Sequence, residues 1–537
     1  MRLFWIFIFM CLYSCIHVKE QRSFFAAAAV EPVGTDTQSD GDLWPAAWSD
    51  DDQLYAANGD GKGFDLDGEW DDIVVNRISG MIADNSLSGI RLASGNQVAD
   101  LFLDTAQYNR KPTGMISVNG ILYLAVQHLN KKGERTFNEV PVASIYASAD
   151  KGTTWKGAGH PMFINHGFTT IMFLDYGKDN RDNVFDHYVY AYGLDSNWRD
   201  SYHDIVPDPQ RLYLARVPGD KILDRSAWEF FSGTRGKRVQ WSPDISDKKP
   251  VLEDLRRRYP ANSVQPGLSK DFSVISQGSV VYNKPLQRYI YTSWTEFTFE
   301  FYESPRPWGP WKLFFSYDFG PYPWTEKQYG GYAVVAPSKF ISEDGRMMGL
   351  VSSTFSGGVK HYDFAYRKLW LVPYLKNQKT RAGRSDSNIV ANLPWDIVTP
   401  LLGGSLRKGY LSFLNDTGLE QEASLNWPRL EKGQEYYWGY SFSRPCRMNE
   451  LVYYSGTADT AVKGTADDVR VQVRKNFRWK NVKAKIRRIP YVDVHPSAGS
   501  KYIITFKRIS GDGIRIVGRP GKNSLLTTIR ELAVFNR

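Results

Sequence analysis

The sequence predicts an all-β protein: a five-bladed β-propeller followed by a β-sandwich. Three observations predict it. From Asp42 to about Pro373 the chain is a succession of short β-prone runs punctuated by Gly, Asn and Asp turns, and five stretches share one pattern of strand, turn, strand and Trp-bearing outer strand. A single Asp-box, Ser148-Ala149-Asp150-Lys151-Gly152-Thr153-Thr154-Trp155, has the residues that cap a tight blade turn. Aromatic residues make up 14% of the chain, as all-β cores and sugar-stacking surfaces both require.

At 537 residues the chain is too long for one ordinary domain. The first blade is expected over Leu43–Val75 and the second from Gly114 to Trp155. The third runs from Thr169 to Trp228, the fourth from Gly278 to Phe315 and the fifth from Tyr332 to Val372. The propeller spans 41–375, and the basic, polar stretch 376–392 reads as a linker. Residues 393–537 hold short strand candidates, among them Tyr436-Tyr437-Trp438, Leu451–Tyr454, Val469–Val473, Ile514–Val517 and Glu531–Phe535. These resemble a discoidin-type, galactose-binding-like module, which would bind sugar or brace the propeller.

The N-terminus reads as an export signal over 1–15: Arg2, then an apolar core from Leu3 to Tyr13 too short to span a bilayer. Leu12-Tyr13-Ser14-Cys15 resembles a bacterial lipobox, which makes Cys15 the expected lipidation site and the membrane a partner through that anchor. A signal cut near Ala26–Ala29 is the rival. Residues 16–40 are expected to be a tether, and the location is the periplasm or the cell surface. Of three cysteines, Cys11 lies in the signal and Cys446 is left with no partner for a disulfide. The net charge of +9 is mild and lacks the sharp basic stripe of a nucleic-acid binder, so nucleic acid is not expected as a partner; a monomer is.

The chemistry is expected at one hairpin. Asp42–Ser49 reads as a strand, Asp50–Gln53 as an acidic turn and Leu54–Asn58 as the returning strand, opening into Gly59-Asp60-Gly61. A turn centred on Asp51 places Asp42 opposite Asp60. Carboxylates that close cannot both ionise freely, which raises one pKa and makes an acid/base pair at neutral pH. Two solvated loop aspartates are the alternative. No His-Glu-x-x-His, P-loop, dinucleotide fingerprint or nucleophile elbow is present, and the 8 histidines show no zinc spacing, so no metal or cofactor is expected. Trp44, Asp175, Asp195, Trp294, Glu296 and His166 are candidates for the substrate pocket, with blade packing or loop capping as their alternative role.

Asp42-Leu43-Trp44-Pro45 with Asn58-Gly59-Asp60-Gly61 resembles the opening of a bacterial family of five-bladed endo-D-arabinanases, first described as a domain of unknown function. Arg216-Val217-Pro218, Leu223–Trp228, Tyr282-Asn283 and Ser304–Trp311 are similar to that family too, and the likeness covers about residues 42–372. The resemblance implies two catalytic aspartates, carried here by Asp42 and Asp60, and hydrolysis of an arabinofuranose polymer. A glycan-binding lipoprotein without catalysis, and a sialidase- or lyase-like propeller, are the competing expectations.

Overall fold

The structure is a computed structural model. It describes residues 23–374, save 32–33, 200–204, 237, 259–271, 296–297, 319–331 and 355–361. It then describes 386–391, 398–403, 406–408, 423–425, 436–455, 469–475, 478–490, 500–518 and 528–537. Among these residues the regular structure is β-strand with short 3-10 turns, so the fold class is all-β.

Strand β1 (Phe25–Val30) comes first in the chain and belongs to the last sheet of this region. The first sheet holds β2 (Asp40–Asp42), β3 (Ala46–Trp48), β4 (Leu54–Gly63), β5 (Asp71–Ser79) and β6 (Ser88–Ser94), with β2 and β3 both pairing β4. The second runs in order through β7 (Tyr108–Val118), β8 (Ile121–Asn130), β9 (Ala143–Ser148) and β10 (Lys156–Gly157). The third holds β11 (Thr170–Asp175), β12 (Tyr188–Leu194), β13 (Arg211–Pro218), β14 (Glu229–Arg235), β15 (Arg238–Ser242) and β16 (Pro250–Glu253); β17 (Arg257–Arg258) and β18 (Phe272–Ser273) pair by themselves. The fourth holds β19 (Ser279–Asn283), β20 (Arg288–Trp294), β21 (Thr298–Ser304) and β22 (Lys312–Asp318). β23 (Tyr332–Val335), β24 (Met347–Thr354) and β25 (Asp363–Pro373) make the fifth, with β1 on its outer edge. Neighbours within each sheet are antiparallel, while β11 and β19 pair in parallel and join the third and fourth sheets.

Part of the segment expected as a tether is therefore strand. Every residue of β1 is buried, and Phe25 packs on Phe314 with ring centroids 4.6 Å apart. The run Phe25-Ala26-Ala27-Ala28-Ala29-Val30 has no charge to keep it in water, and β25 offers an unpaired edge for its backbone.

One narrow channel is lined by all five of these sheets, through Pro45–Ala46, Thr113–Met115, Met172–Phe173 with Asp175, Gly278–Val280 and Val335–Pro337. Its free volume of ≈ 20 Å³ is room for about one water. Gly114 is required there, since a Cβ would meet the Ile171 carbonyl oxygen at 2.6 Å. Apolar side chains fill the spaces between sheets, as Tyr55, Ile73 and Val75 do against Leu122, Leu124 and Tyr146.

The Asp-box behaves as expected. Ser148 donates to Asp150 at 2.8 Å, Asp150 accepts from the Thr154 amide at 2.9 Å, and Gly152 takes φ 91. The Thr154 donors hold the Asp150 carboxyl down at about 2. Trp155 packs between the first and second sheets.

Toward the C-terminus, Val398–Gly403, Tyr436–Tyr454, Ser500–Gly518, Arg470–Lys475 and Arg478–Val482 form one sheet, which Ala484–Pro490 and Glu531–Phe535 also join. Leu406–Lys408, Ala423–Leu425 and Thr528–Ile529 form a second. Trp438, Tyr440, Leu451, Ile504 and Ile516 make a separate core. Arg474, paired with Asp512 at 2.7 Å, donates to the Ala26 carbonyl at 2.5 Å and so ties this region to β1.

Candidate active site

The hairpin register is correct near its turn and slips by one residue at its open end. Ala46 faces Ala56, Ala47 faces Tyr55 and Trp48 faces Leu54, symmetrically about Asp51. Asp42, however, faces Gly59 and not Asp60. The cause is a local reversal. Leu43 and Trp44 take left-handed conformations (φ 76 and 52), which ends the pairing after Asp42. Such residues each cost about 1–3 kcal/mol and persist only where the surroundings hold them. Here the Leu43 amide donates to Ser353 Oγ at 2.9 Å, and Trp44 Nε1 donates to the Gly41 carbonyl at 2.8 Å. Trp44 is fully buried edge-on to Phe64 and Phe364. It shapes the loop that carries Asp42 and does not face a pocket, which corrects its expected substrate contact.

Asp42 and Asp60 nonetheless converge, on a cation the sequence reading did not include. Lys111, from β7 in the next sheet, places Nζ 3.4 Å from Asp42 Oδ1 and 2.5 Å from Asp60 Oδ2. The Lys111 and Asp42 side chains are 3% and 8% exposed, while that of Asp60 is 26% exposed and open to solvent. Burial works against the ammonium, but the Asp42 and Asp60 carboxylates outweigh it and hold Lys111 above its ordinary value. The repulsion expected between the two carboxylates is thus offset by a charge buried between them. Asp60 Oδ1 is buried with no hydrogen-bond partner, which leaves one acceptor of the pair unused.

Gly59 makes room for this arrangement. A Cβ there would lie 2.4 Å from Asp42 Oδ1 and 2.9 Å from Lys111 Nζ. Neighbouring residues on β7 point to opposite sides, so Arg110 serves a different partner, the Asp72 carboxylate at 2.8–3.1 Å. Asn58 braces β4 from behind, accepting from Asn76 Nδ2 at 2.8 Å.

The remaining candidates do not join this cluster. Asp175 closes β11, at the other end of the channel, where it accepts from the Ser338 amide and hydroxyl and the Gly177 amide at 2.7–2.9 Å. Burial pushes its carboxyl up to about 6 against those donors. Trp294 is buried among apolar side chains with its Nε1 on the Gln277 carbonyl at 2.5 Å, so it packs a sheet, which corrects its expected substrate contact. Asp195 caps a turn, accepting from the Phe168 amide at 2.7 Å and pairing with Lys248 at 3.1 Å. His166 is 40% exposed and holds Glu139 at 3.1 Å. Glu139, another residue missed, also accepts from Asn130 and Arg135, and these partners hold it below its ordinary value although burial raises it. Glu296 and Cys15 lie outside the described residues. Among the described residues, no three His, Cys, Asp or Glu side chains gather as metal ligands.

Lys111 carried a faint signal: Arg110-Lys111 interrupts a strand of otherwise small or uncharged residues. A charge inside a buried strand needs an opposite charge. Its partners lie some fifty to seventy residues upstream, beyond any local pattern.

No curated protein matches the chain. Among solved structures, one from Bacteroides ovatus described as a "putative hydrolase" has 11% identity over 62% of this chain and 87% of its own, with a TM-score of 0.41. A "glycoside hydrolase" has 11% identity over 93% of this chain and 100% of its own, with a TM-score of 0.30. A family 32 carbohydrate-binding module of Clostridium perfringens, in complex with galactose, covers 26% of this chain and 93% of its own at 13% identity, with a TM-score of 0.20. At these scores the likenesses say nothing of this chain's chemistry. One family model, described as a domain of unknown function (DUF4185), matches residues 41–369, which take in Asp42, Asp60 and Lys111, and the chain belongs to that family.

Proposed function

We propose that this chain is a glycoside hydrolase that cleaves an arabinofuranose-containing polysaccharide, with Asp42 and Asp60 as its acid/base pair. The observation that carries the reading is their convergence on Lys111, with Asp60 open to solvent. Glycosidic bonds need a proton on the leaving oxygen and a base or nucleophile across the sugar ring, and two carboxyl groups facing one space can supply both. Lys111 is the positioning residue. Its ammonium holds the two carboxyl groups close to each other, and its field stays fixed as charge moves during reaction.

The five sheets are the blades of a β-propeller in this reading. Support comes from their chain order, their common channel and the closure of the last sheet by β1. The domain takes in β1 together with 41–375, and 393–537 is a β-sandwich module of discoidin type. The protein is exported and anchored through a lipidated Cys15, acts as a monomer, and needs no cofactor.

The test is incubation with arabinan and other wall polysaccharides, read as new reducing ends. Asp42→Asn and Asp60→Asn should each lower the rate by about 10²–10⁴-fold with unchanged melting. Full activity in either variant rejects the assignment. Retention of polymer with no release of ends by the unaltered protein would favour a glycan-binding role instead.

A further inference from the structure

We propose that an aromatic cavity at the far ends of β11 and β19 is a second carbohydrate site, holding a sugar unit of a polysaccharide away from the carboxylates. The cavity has a volume of ≈ 380 Å³, within the usual range for small-ligand pockets of about 300–1,000 Å³. Lys111 lies near the start of β7, whereas Tyr176 and Tyr282 sit where β11 and β19 end. A six-residue strand such as β11 is about 20 Å long. A sugar in the cavity therefore does not touch Asp42 or Asp60.

Three tyrosines form the floor. Tyr282 lies 4.8 Å from Tyr289 and 5.4 Å from Tyr176 between ring centroids, and the Tyr176 and Tyr289 hydroxyls share a hydrogen bond at 3.0 Å. Phe185 stands at the lip, edge-on to Tyr282 at 5.8 Å, yet 61% exposed. That exposure is built in. The Asn183 amide donates to the Tyr188 carbonyl at 2.8 Å, and Asp186 accepts from the Tyr188 amide at 3.0 Å and the Tyr190 hydroxyl at 2.7 Å. A braced loop that keeps an apolar ring in water has already met much of the ordering cost of binding.

The chemistry of the wall identifies the ligand class. Trp308 and the prolines beside it add flat apolar surface, and Asp186 and Arg306 stand ready for hydroxyl groups. No Leu, Ile, Val or Met is among the described lining residues. An apolar peptide side chain would be met by aliphatic groups. A sugar ring, apolar on its faces and polar at its rim, is met by aromatic faces with polar groups at the edge.

The inference stands whether or not the carboxylate pair is catalytic. Hydrogen exchange of the full chain carrying Asp42→Asn, with arabinan, arabinogalactan or xylan present, should show protection over 176–190 and 282–308. In affinity electrophoresis, Phe185→Ala should bind the same polymer about fivefold more weakly, with Phe185→Tyr restoring retention and melting unchanged in both. Cleavage of short oligosaccharides should be the same in Phe185→Ala as in the unaltered protein. Protection confined to 40–62 and 108–113, protection by none of the three polymers, or equal retention of Phe185→Ala overturns the proposal. Loss of cleavage alone with this binding intact would count against the hydrolase reading only.

Discussion

The two ends of the channel both bury carboxylates, and they do it by opposite means. At one end, Asp42 and Asp60 share the single Lys111 ammonium, so charge faces charge. At the other, Asp175 meets only hydroxyl and amide donors, from Ser338 and Gly177, and burial pushes its carboxyl up to about 6. Sharing one ammonium leaves Asp60 Oδ1 without a hydrogen-bond partner. Satisfaction by neutral donors uses both Asp175 oxygens and fixes a loop. The first arrangement has chemistry to offer, and the second has structure to maintain.

Removing the cation should separate the two ends most sharply. Lys111→Ala leaves the buried Asp42 and the partly exposed Asp60 facing each other without that ammonium. Breaking a buried ion pair in this way costs about 3–5 kcal/mol. Urea denaturation should show that loss at pH 7.5 and recover part of it at pH 4, where a carboxyl can take up a proton. A stability unchanged at both pH values would mean that Lys111 does not balance the pair.

Asp175 should behave in the opposite sense. Its folded value of about 6 lies above the ordinary 3.8, so between those pH values the unfolded chain releases a proton that the folded chain retains. The fold loses stability as pH rises through that window. Asp175→Asn cannot ionise, so from pH 4 to pH 7.5 the balance of stability should move toward the variant by up to about 3 kcal/mol. A gap between the two proteins that does not change with pH would remove the contrast.

How much of this could be read in the sequence depends on where the partners lie. Asp42 and Asp60 were legible because a turn between them is a local pattern, and the same turn set the register of β3 on β4. The slip at Asp42 was not, because it rests on Ser353 and Phe364, some three hundred residues away. Lys111 was hidden for the same reason. β1 was read as a tether because its partner, β25, is equally remote. Trp44 and Trp294 were misplaced because an aromatic on a strand fits a pocket wall and a sheet interior alike, and burial alone tells them apart.

His128 gives a smaller effect and tests whether burial disfavours the charged form of an imidazole as it does for the Asp175 carboxyl. Both ring nitrogens are buried, and the ring stacks on Phe102 at 5.6 Å. Burial pushes it down to about 4 from 6.5. Below pH 6.5 the unfolded chain takes up a proton that the folded chain refuses, so stability is full above 6.5 and falls toward 4. Between pH 7.5 and 5 the loss from this group should be about 2 kcal/mol, and His128→Phe should abolish that share of the acid sensitivity. An identical acid profile for the variant would show that His128 takes up its proton in the folded chain as readily as in water.

The smallest change in stability should come with a large change in activity. At Gly59 an added methyl meets the ends of Asp42 and Lys111 at 2.4–2.9 Å, and these are side-chain tips that can give way. Overpacking of that kind costs about 1 kcal/mol, at the lower end of what buried methyl groups do. The tips give way, however, by leaving the geometry that joins the two carboxylates to one ammonium. Gly59→Ala should therefore melt within a few degrees of the unaltered protein while losing at least about tenfold in polymer cleavage, since small misplacements of reacting groups cost that much. A fall in rate matched by a large fall in melting temperature would make Gly59 a packing residue only. Full activity would mean that the Lys111 junction is not where the reaction happens.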